Sequence, residues 1–230
     1  MGHRPTEVAD GALESILDGG DYTEILSSLS PTELNLFHSL VEEIHSTGSL
    51  DALDDLWRVD YVRRPPTMEE FLNDDYWLGQ RTRPSSESEG VYPGWTEILT
   101  RDFNLGSQVH NTVISGSLGI GKSFIGCIIL LYRLALARLL RSPSTQFGMT
   151  KGSGIYYSIL SITRAAVRET VFSDAIGFMS HSPFFLEECN FDPEKKYSDS
   201  LVPLGNSIYL NAGSKNWHVI GKNMMGVFLD

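Results

Sequence analysis

Gly116, Gly121, Lys122 and Ser123 stand in the order G-x-x-x-x-G-K-S, within "GSLGIGKS" at residues 116–123. Each residue type suits a phosphate group. Glycines let successive backbone N–H groups turn inward as a nest for anionic oxygens. A helix beginning at Lys122 aims its positive end at the same oxygens. In this pattern the lysine ammonium reaches the outer phosphates of a nucleoside triphosphate, and the serine hydroxyl ligates Mg²⁺. The spacing therefore assigns Gly116, Ser117, Leu118, Gly119, Ile120, Gly121, Lys122 and Ser123 to nucleotide binding, with ATP and Mg²⁺ as expected ligands.

A second group belongs with the first. Val227, Phe228 and Leu229 form a short apolar run that ends in Asp230. A carboxylate at the C-terminal end of a buried strand faces the ligand crevice of an α/β sheet. There it holds Mg²⁺ through the ion's water shell. Lys122 and Asp230 are thus the expected catalytic pair, and Ser123 and Asp230 the expected metal pair. Hydrolases of this kind usually carry a water-orienting glutamate directly after the aspartate. That position lies beyond residue 230. The sequence therefore predicts an α/β domain incomplete at its C-terminal end, which binds ATP and turns it over at most slowly. Glu169 and Glu187 are the alternative carboxylates.

These groups need elements to hold them. Thr112, Val113 and Ile114 are predicted as a buried strand leading into the loop. The apolar run from Phe124 to Leu140 predicts a helix packed on a sheet. Its two arginines, Arg133 and Arg138, are costly inside a bilayer and are expected to reach solvent. "IYYSIL" (155–160) predicts a strand, 161–180 a helix, and "NSIYLNAGS" and "GVFLD" two more strands. Strands alternating with long helices predict a mainly parallel sheet with crossover connections.

Upstream, residues 6–60 are predicted to be helical and acidic. Ser30, Pro31 and Glu33 form one capping signal, followed by Phe37, Leu40, Val41 and Ile44 on one helix face. Thr67 and Glu70 form a second capping box, over a helix from Met68. "RRPP" is a stiff linker, and "RTRPSSESEG" (81–90) a polar loop. Two domains are expected: an acidic helical segment at 1–64 and the nucleotide-binding domain at 65–230.

Charge divides the chain unevenly. Residues 1–100 carry 6 Lys/Arg and 20 Asp/Glu, a balance of −14, and residues 101–230 carry 12 and 9, a balance of +3. The first half is a poor nucleic-acid surface and the second only mildly basic. Cys127 and Cys189 match no metal-ligand spacing and are expected as small core residues.

The combination resembles the ATPase domain of the large terminase subunit of tailed bacteriophages. Five stretches carry the likeness: "PPTMEEFLNDDYWLG" (65–79), "VYPGWTEIL" (91–99), "ISGSLGIGKSFIG" (114–126), "MSHSPFF" (179–185) and "WHVIGKNMMGVFLD" (217–230). Gly221-Lys222 stands where relatives often have Gly-Arg, and the family's acidic nuclease cluster is not expected within residues 1–230. The resemblance implies a three-layer P-loop ATPase with a mainly parallel central sheet, which drives double-stranded viral DNA into a procapsid. It implies a portal protein, a small terminase subunit and a homo-oligomeric ring as partners, the host cytoplasm as location, and no membrane. Within it, Tyr92 or Trp95 is a candidate for stacking on adenine. Arg164 and Arg168 are candidates for neutralising charge during phosphoryl transfer. Rival readings of the same loop are a helicase and a truncated, non-catalytic nucleotide-binding module.

Overall fold

The computed structural model describes residues 31, 34–35, 37–38, 57, 60–85, 89–163, 165, 167, 171–195, 197, 201–214 and 221–230. The chain divides into two compact units, Met1–Val59 and Asp60–Asp230. In the first, Pro31, Leu34, Asn35, Phe37 and His38 are helical. The predicted cap Ser30 and the apolar positions Leu40, Val41 and Ile44 lie outside the described residues.

The second unit begins with α1 (Met68–Asn73). Thr67 Oγ1 accepts from the Glu70 N–H, and the Glu70 carboxylate accepts from the Thr67 N–H, so the capping box forms as its sequence predicts. Such a cap is worth about 1 kcal/mol. The box fixes the entry of α1, which buries Met68, Phe71 and Leu72. Two short helices follow, α2 (Gly79–Thr82) and α3 (Pro93–Asp102), the latter opened by a proline in its first turn.

The central element is α4 (Lys122–Leu139). Apolar residues surround it on nearly every side, and it is buried along its length, as expected of a helix enclosed by other layers. Phe71 packs edge-on against Tyr132 at 5.1 Å, and the Tyr132 hydroxyl donates to the Pro66 carbonyl at 2.9 Å. Arg133 and Arg138 are both half-buried, so each reaches solvent in part, and Arg138 is also tied to the fold. Its guanidinium is half-buried and donates to the Leu204 carbonyl at 3.0 Å and the Glu188 carbonyl at 2.5 Å. A planar group with five donors satisfies two carbonyls at once, and this ties the end of α4 to the next layer.

After α5 (Pro143–Gln146) come β1 (Ile155–Ser161), α6 (Val171–Ser180), a π-helical turn (Phe184–Glu188), β2 (Leu201–Pro203), β3 (Ile208–Ser214) and β4 (Asn223–Leu229). The sheet order is β2-β3-β1-β4. β1 is parallel to both β3 and β4, and β2 is antiparallel to β3. The sheet is thus mixed and mostly parallel. The sequence did not signal the antiparallel strand, which is three residues long. It joins β3 through a tight turn, where Leu204 N–H donates to the Ile208 carbonyl and Asn206 and Ser207 take positive φ. A hairpin needs no crossover helix to advertise it.

One predicted strand does not form. Residues 107–116 carry no strand, Thr112 is exposed, and Val113 is 92% exposed. β-branched residues favour a pleated surface only where a neighbouring strand and a covering layer are supplied. Among the described residues no strand pairs with this segment, and only Ile114 packs partly against the core.

Candidate functional site

β1, β3 and β4 run in the same direction, so their carboxyl ends share one side of the sheet. The Asp230 N–H donates to the Leu160 carbonyl at 2.9 Å, which carries the β1–β4 ladder up to the aspartate. The glycine-rich loop leads into α4 beside that end. Gly121 is the residue before the helix and adopts φ 81° and ψ 22°, the left-handed region. An L side chain there is strained, so glycine is what allows the chain to turn into α4 at this angle.

The loop and the strand end meet at one bond. The Ser123 hydroxyl donates to Asp230 Oδ1 at 2.6 Å, across 107 residues of sequence. The helix N-terminus, a hydroxyl and a carboxylate are thereby set at one point. Lys122 Nζ donates to the carbonyls of Gly116 at 3.0 Å and Ser117 at 2.7 Å. The ammonium therefore lies folded inside its own loop. Gly116, Ser117, Leu118, Gly119 and Ile120 are exposed, with Leu118 at 97%, and Gly121 is half-buried. All eight loop residues and Asp230 thus come together, with their polar groups open to solvent.

Close packing maintains this meeting. Gly126, one turn into α4, lies against the Phe228 ring of β4, which occupies the space a Cβ would need. Trp95, on α3, donates its indole N–H to the Ile120 carbonyl at 2.9 Å and so braces the loop from behind. Tyr92 is 72% exposed. Trp95 thus has a structural bond to the loop through its ring edge. One hydrogen bond is worth about 1 kcal/mol. Trp95→Phe, which keeps the ring bulk, is accordingly expected to weaken phosphate-dependent ligand affinity about three- to tenfold with little change in melting temperature. Unchanged affinity in a calorimetric titration would remove Trp95 from the site.

Other predicted residues stand apart. Glu187 lies in the π-helical turn at the far end of α4, beside Glu188, whose carbonyl accepts from Arg138. Lys222 is at the opposite end of β4 from Asp230, with its ammonium 4.9 Å from the centre of the Tyr156 ring. Arg164, Arg168 and Glu169 lie outside the described residues. A concavity of about 430 Å³, lined by Arg63, Arg64, Pro65, Pro66, Tyr76 and Trp77, also sits toward the C-terminal end of α4 and contributes nothing to the loop.

Two charged residues near the site were not signalled by any motif. Phe178 of α6 packs on Phe124 of α4 with ring centres 5.1 Å apart. That contact lays α6, which carries Asp174, along the first turns of α4. Arg81 of α2 reaches α6 at Gly177. Desolvation raises the Asp174 carboxyl above its ordinary value, Arg81 lowers it, and the Asp230 charge raises it further. The Cys127 thiol is pushed far up by burial and secondarily by Asp174, which leaves it inert as a nucleophile. Burial also raises the Cys189 thiol, to about 12. Both cysteines are core residues. Among the described residues no group of three or more His, Cys, Asp or Glu side chains is placed to hold a metal ion. None of their helices is long and apolar enough to cross a membrane.

The arrangement suits a phosphorylated ligand with a hard cation. A hydroxyl and a carboxylate 2.6 Å apart are oxygen donors of the type Mg²⁺ prefers. The loop supplies the helix terminus and an ammonium for the anion. No family model, curated protein or solved structure matches the chain.

Proposed function

We propose that this chain is an ATP-binding P-loop domain of the motor type found in the large terminase subunits of tailed bacteriophages. In this reading it couples ATP hydrolysis to the movement of double-stranded viral DNA into a procapsid. The observation that supports it most is the bond from Ser123 to Asp230, which joins the loop to the aspartate that the sequence pairs with it. The loop backbone and Lys122 would hold the phosphates. Ser123 and Asp230 would hold Mg²⁺, which supplies charge neutralisation on the phosphate oxygens. The three-layer arrangement, the portal and small-subunit partners, the ring on the procapsid and the host cytoplasm belong to the same reading.

Calorimetric titration with ATP, in the presence and absence of Mg²⁺, tests it. The wild-type chain is expected to bind Mg-ATP more tightly than ATP alone. Ser123→Ala and Asp230→Asn are each expected to abolish that difference while leaving part of the metal-free affinity. Binding that ignores Mg²⁺ in all three proteins would sink the cation assignment, and no binding at all would sink the nucleotide reading. The +3 balance of residues 101–230 adds an expectation for DNA. Duplex affinity should be weak, with log affinity falling against log salt by about 0.9 per phosphate neutralised. Tight, salt-insensitive binding would contradict it.

A further inference from the structure

The two edges of the sheet are finished differently. An edge strand presents unpaired N–H and C=O groups, and proteins protect it with shortness, charge, proline, a bulge or a covering segment. β2, at one edge, is three residues long and ends in Pro203. β4, at the other, is seven residues long, and among the described residues no strand lies beyond it. Asn223–Leu229 contains no charged residue and no proline. Its one protective feature is a shift of register against β1 at Met225. The Asp230 N–H points to β1, so in the ladder after that shift the backbone groups of Val227 and Leu229 point to the open side. Burial alternates along the strand, which leaves the apolar side chains of Met225, Val227 and Leu229 exposed.

The same stretch is complementary to itself. Lys222 stands one residue before β4 and Asp230 one residue after it, with Gly226 midway between them. Two copies laid antiparallel about Gly226 set each Lys222 opposite the other copy's Asp230, and each Met225 opposite the other copy's Val227. Opposite charges facing each other across strands are favourable, and like charges are not. Parallel pairing in the matching register sets lysine against lysine and aspartate against aspartate. Both charged groups keep hydrogen-bonding capacity for a partner. The Lys222 ammonium lies 4.9 Å from the centre of the Tyr156 ring, and Ser123 takes one of the two Asp230 oxygens. We infer that this chain forms a two-fold dimer by antiparallel pairing of β4 with the β4 of a second copy. The pairing joins two four-stranded sheets into one and runs the exposed apolar side chains into a single stripe across the junction. It uses the edge of β4 and does not depend on the nucleotide reading.

Sedimentation of the whole 230-residue chain over a concentration series tests it. One strand pair is a small interface, so a reversible dimer is expected, with a dissociation constant of about 1–100 µM. Val227→Lys places two ammonium groups beside the axis at an exposed position. It is expected to raise the dissociation constant by about tenfold or more, with a thermal melt close to that of wild type. Lys222→Asp sets like charges against each other at both ends and is expected to raise it by about three- to thirtyfold. Lys222→Asp combined with Asp230→Lys exchanges the two ends and is expected to return it to within about threefold of wild type. Loss of the Lys222 contact with Tyr156 is common to both variants, so recovery in the exchange reports the pairing of the ends alone. A chain that stays monomeric throughout the series, as it would if another segment covered the β4 edge, overturns the inference. So does a dimer that survives Val227→Lys, which marks a different surface, or an exchange that fails to restore association.

Discussion

Lys122→Ala is expected to abolish measurable Mg-ATP binding and to leave the fold intact. In the structure the Lys122 ammonium donates to the carbonyls of Gly116 and Ser117 at 3.0 and 2.7 Å. It therefore holds the loop in shape. Under the proposed function, binding would exchange two neutral carbonyls for charged phosphate oxygens. A hydrogen bond to a charged group contributes about 1.5–3 kcal/mol, so losing two of them weakens binding by about 10²-fold or more. The stability cost is small because the loop is exposed and buries almost no apolar surface. Calorimetric titration with Mg-ATP and a thermal melt of each protein are the measurements. Lys122→Arg is the informative partner. It keeps the charge, but its planar fork does not fit a site shaped for a compact ammonium, and it is expected to recover only part of the affinity. Wild-type affinity in Lys122→Ala would mean that the loop is a turn and nothing more.

The residues legible in the sequence are those whose chemistry fixes their spacing. Glycines followed by a lysine and a hydroxyl at fixed spacing admit few arrangements, so the turn into α4 and the meeting of Ser123 with an aspartate at the end of an apolar run were legible. Strand β1, the capping box at Thr67 and the apolar helix α4 were legible because each rests on local signals: alternation, a cap and a long apolar run. What was not legible depends on partners distant in sequence. Thr112 to Ile114 have strand propensity, but propensity does not supply a neighbouring strand. Arg138 reads as a solvent-facing charge until the fold brings the Leu204 and Glu188 carbonyls to it. Asp174 is invisible for the same reason, since its place beside α4 comes from the contact of Phe178 with Phe124 and not from any spacing along the chain.

The Ser123–Asp230 contact depends on how closely α4 lies on β4, and Gly126 sets that distance. The Phe228 ring fills the space where a Cβ would stand on residue 126. Gly126 is one turn beyond Ser123, and Phe228 is two residues before Asp230, so any separation at this point is passed to both ends of the 2.6 Å bond. A hydroxyl–carboxylate bond weakens once its length passes about 3.0 Å, so a shift of under 1 Å is enough to lose it. Gly126→Val is therefore expected to act twice. It overpacks the helix–strand seam at a cost of about 1–3 kcal/mol, with only a few tenths recovered from the better helix propensity of valine over glycine. For a unit of this size that lowers the melting temperature by about 2–10 °C. It also pushes Ser123 away from Asp230, so the gain in ATP affinity on adding Mg²⁺ should shrink or vanish. The second effect separates geometry from general destabilisation, because a second substitution can reverse it. Phe228→Leu removes the ring edge that meets the new side chain. The pair Gly126→Val with Phe228→Leu is expected to regain most of the Mg²⁺ dependence even though Phe228→Leu alone costs stability. Melting curves and titrations on the two single variants and the pair make up the cycle. If the Mg²⁺ dependence survives in Gly126→Val, or if Phe228→Leu fails to restore it, then the spacing of α4 on β4 does not govern the site.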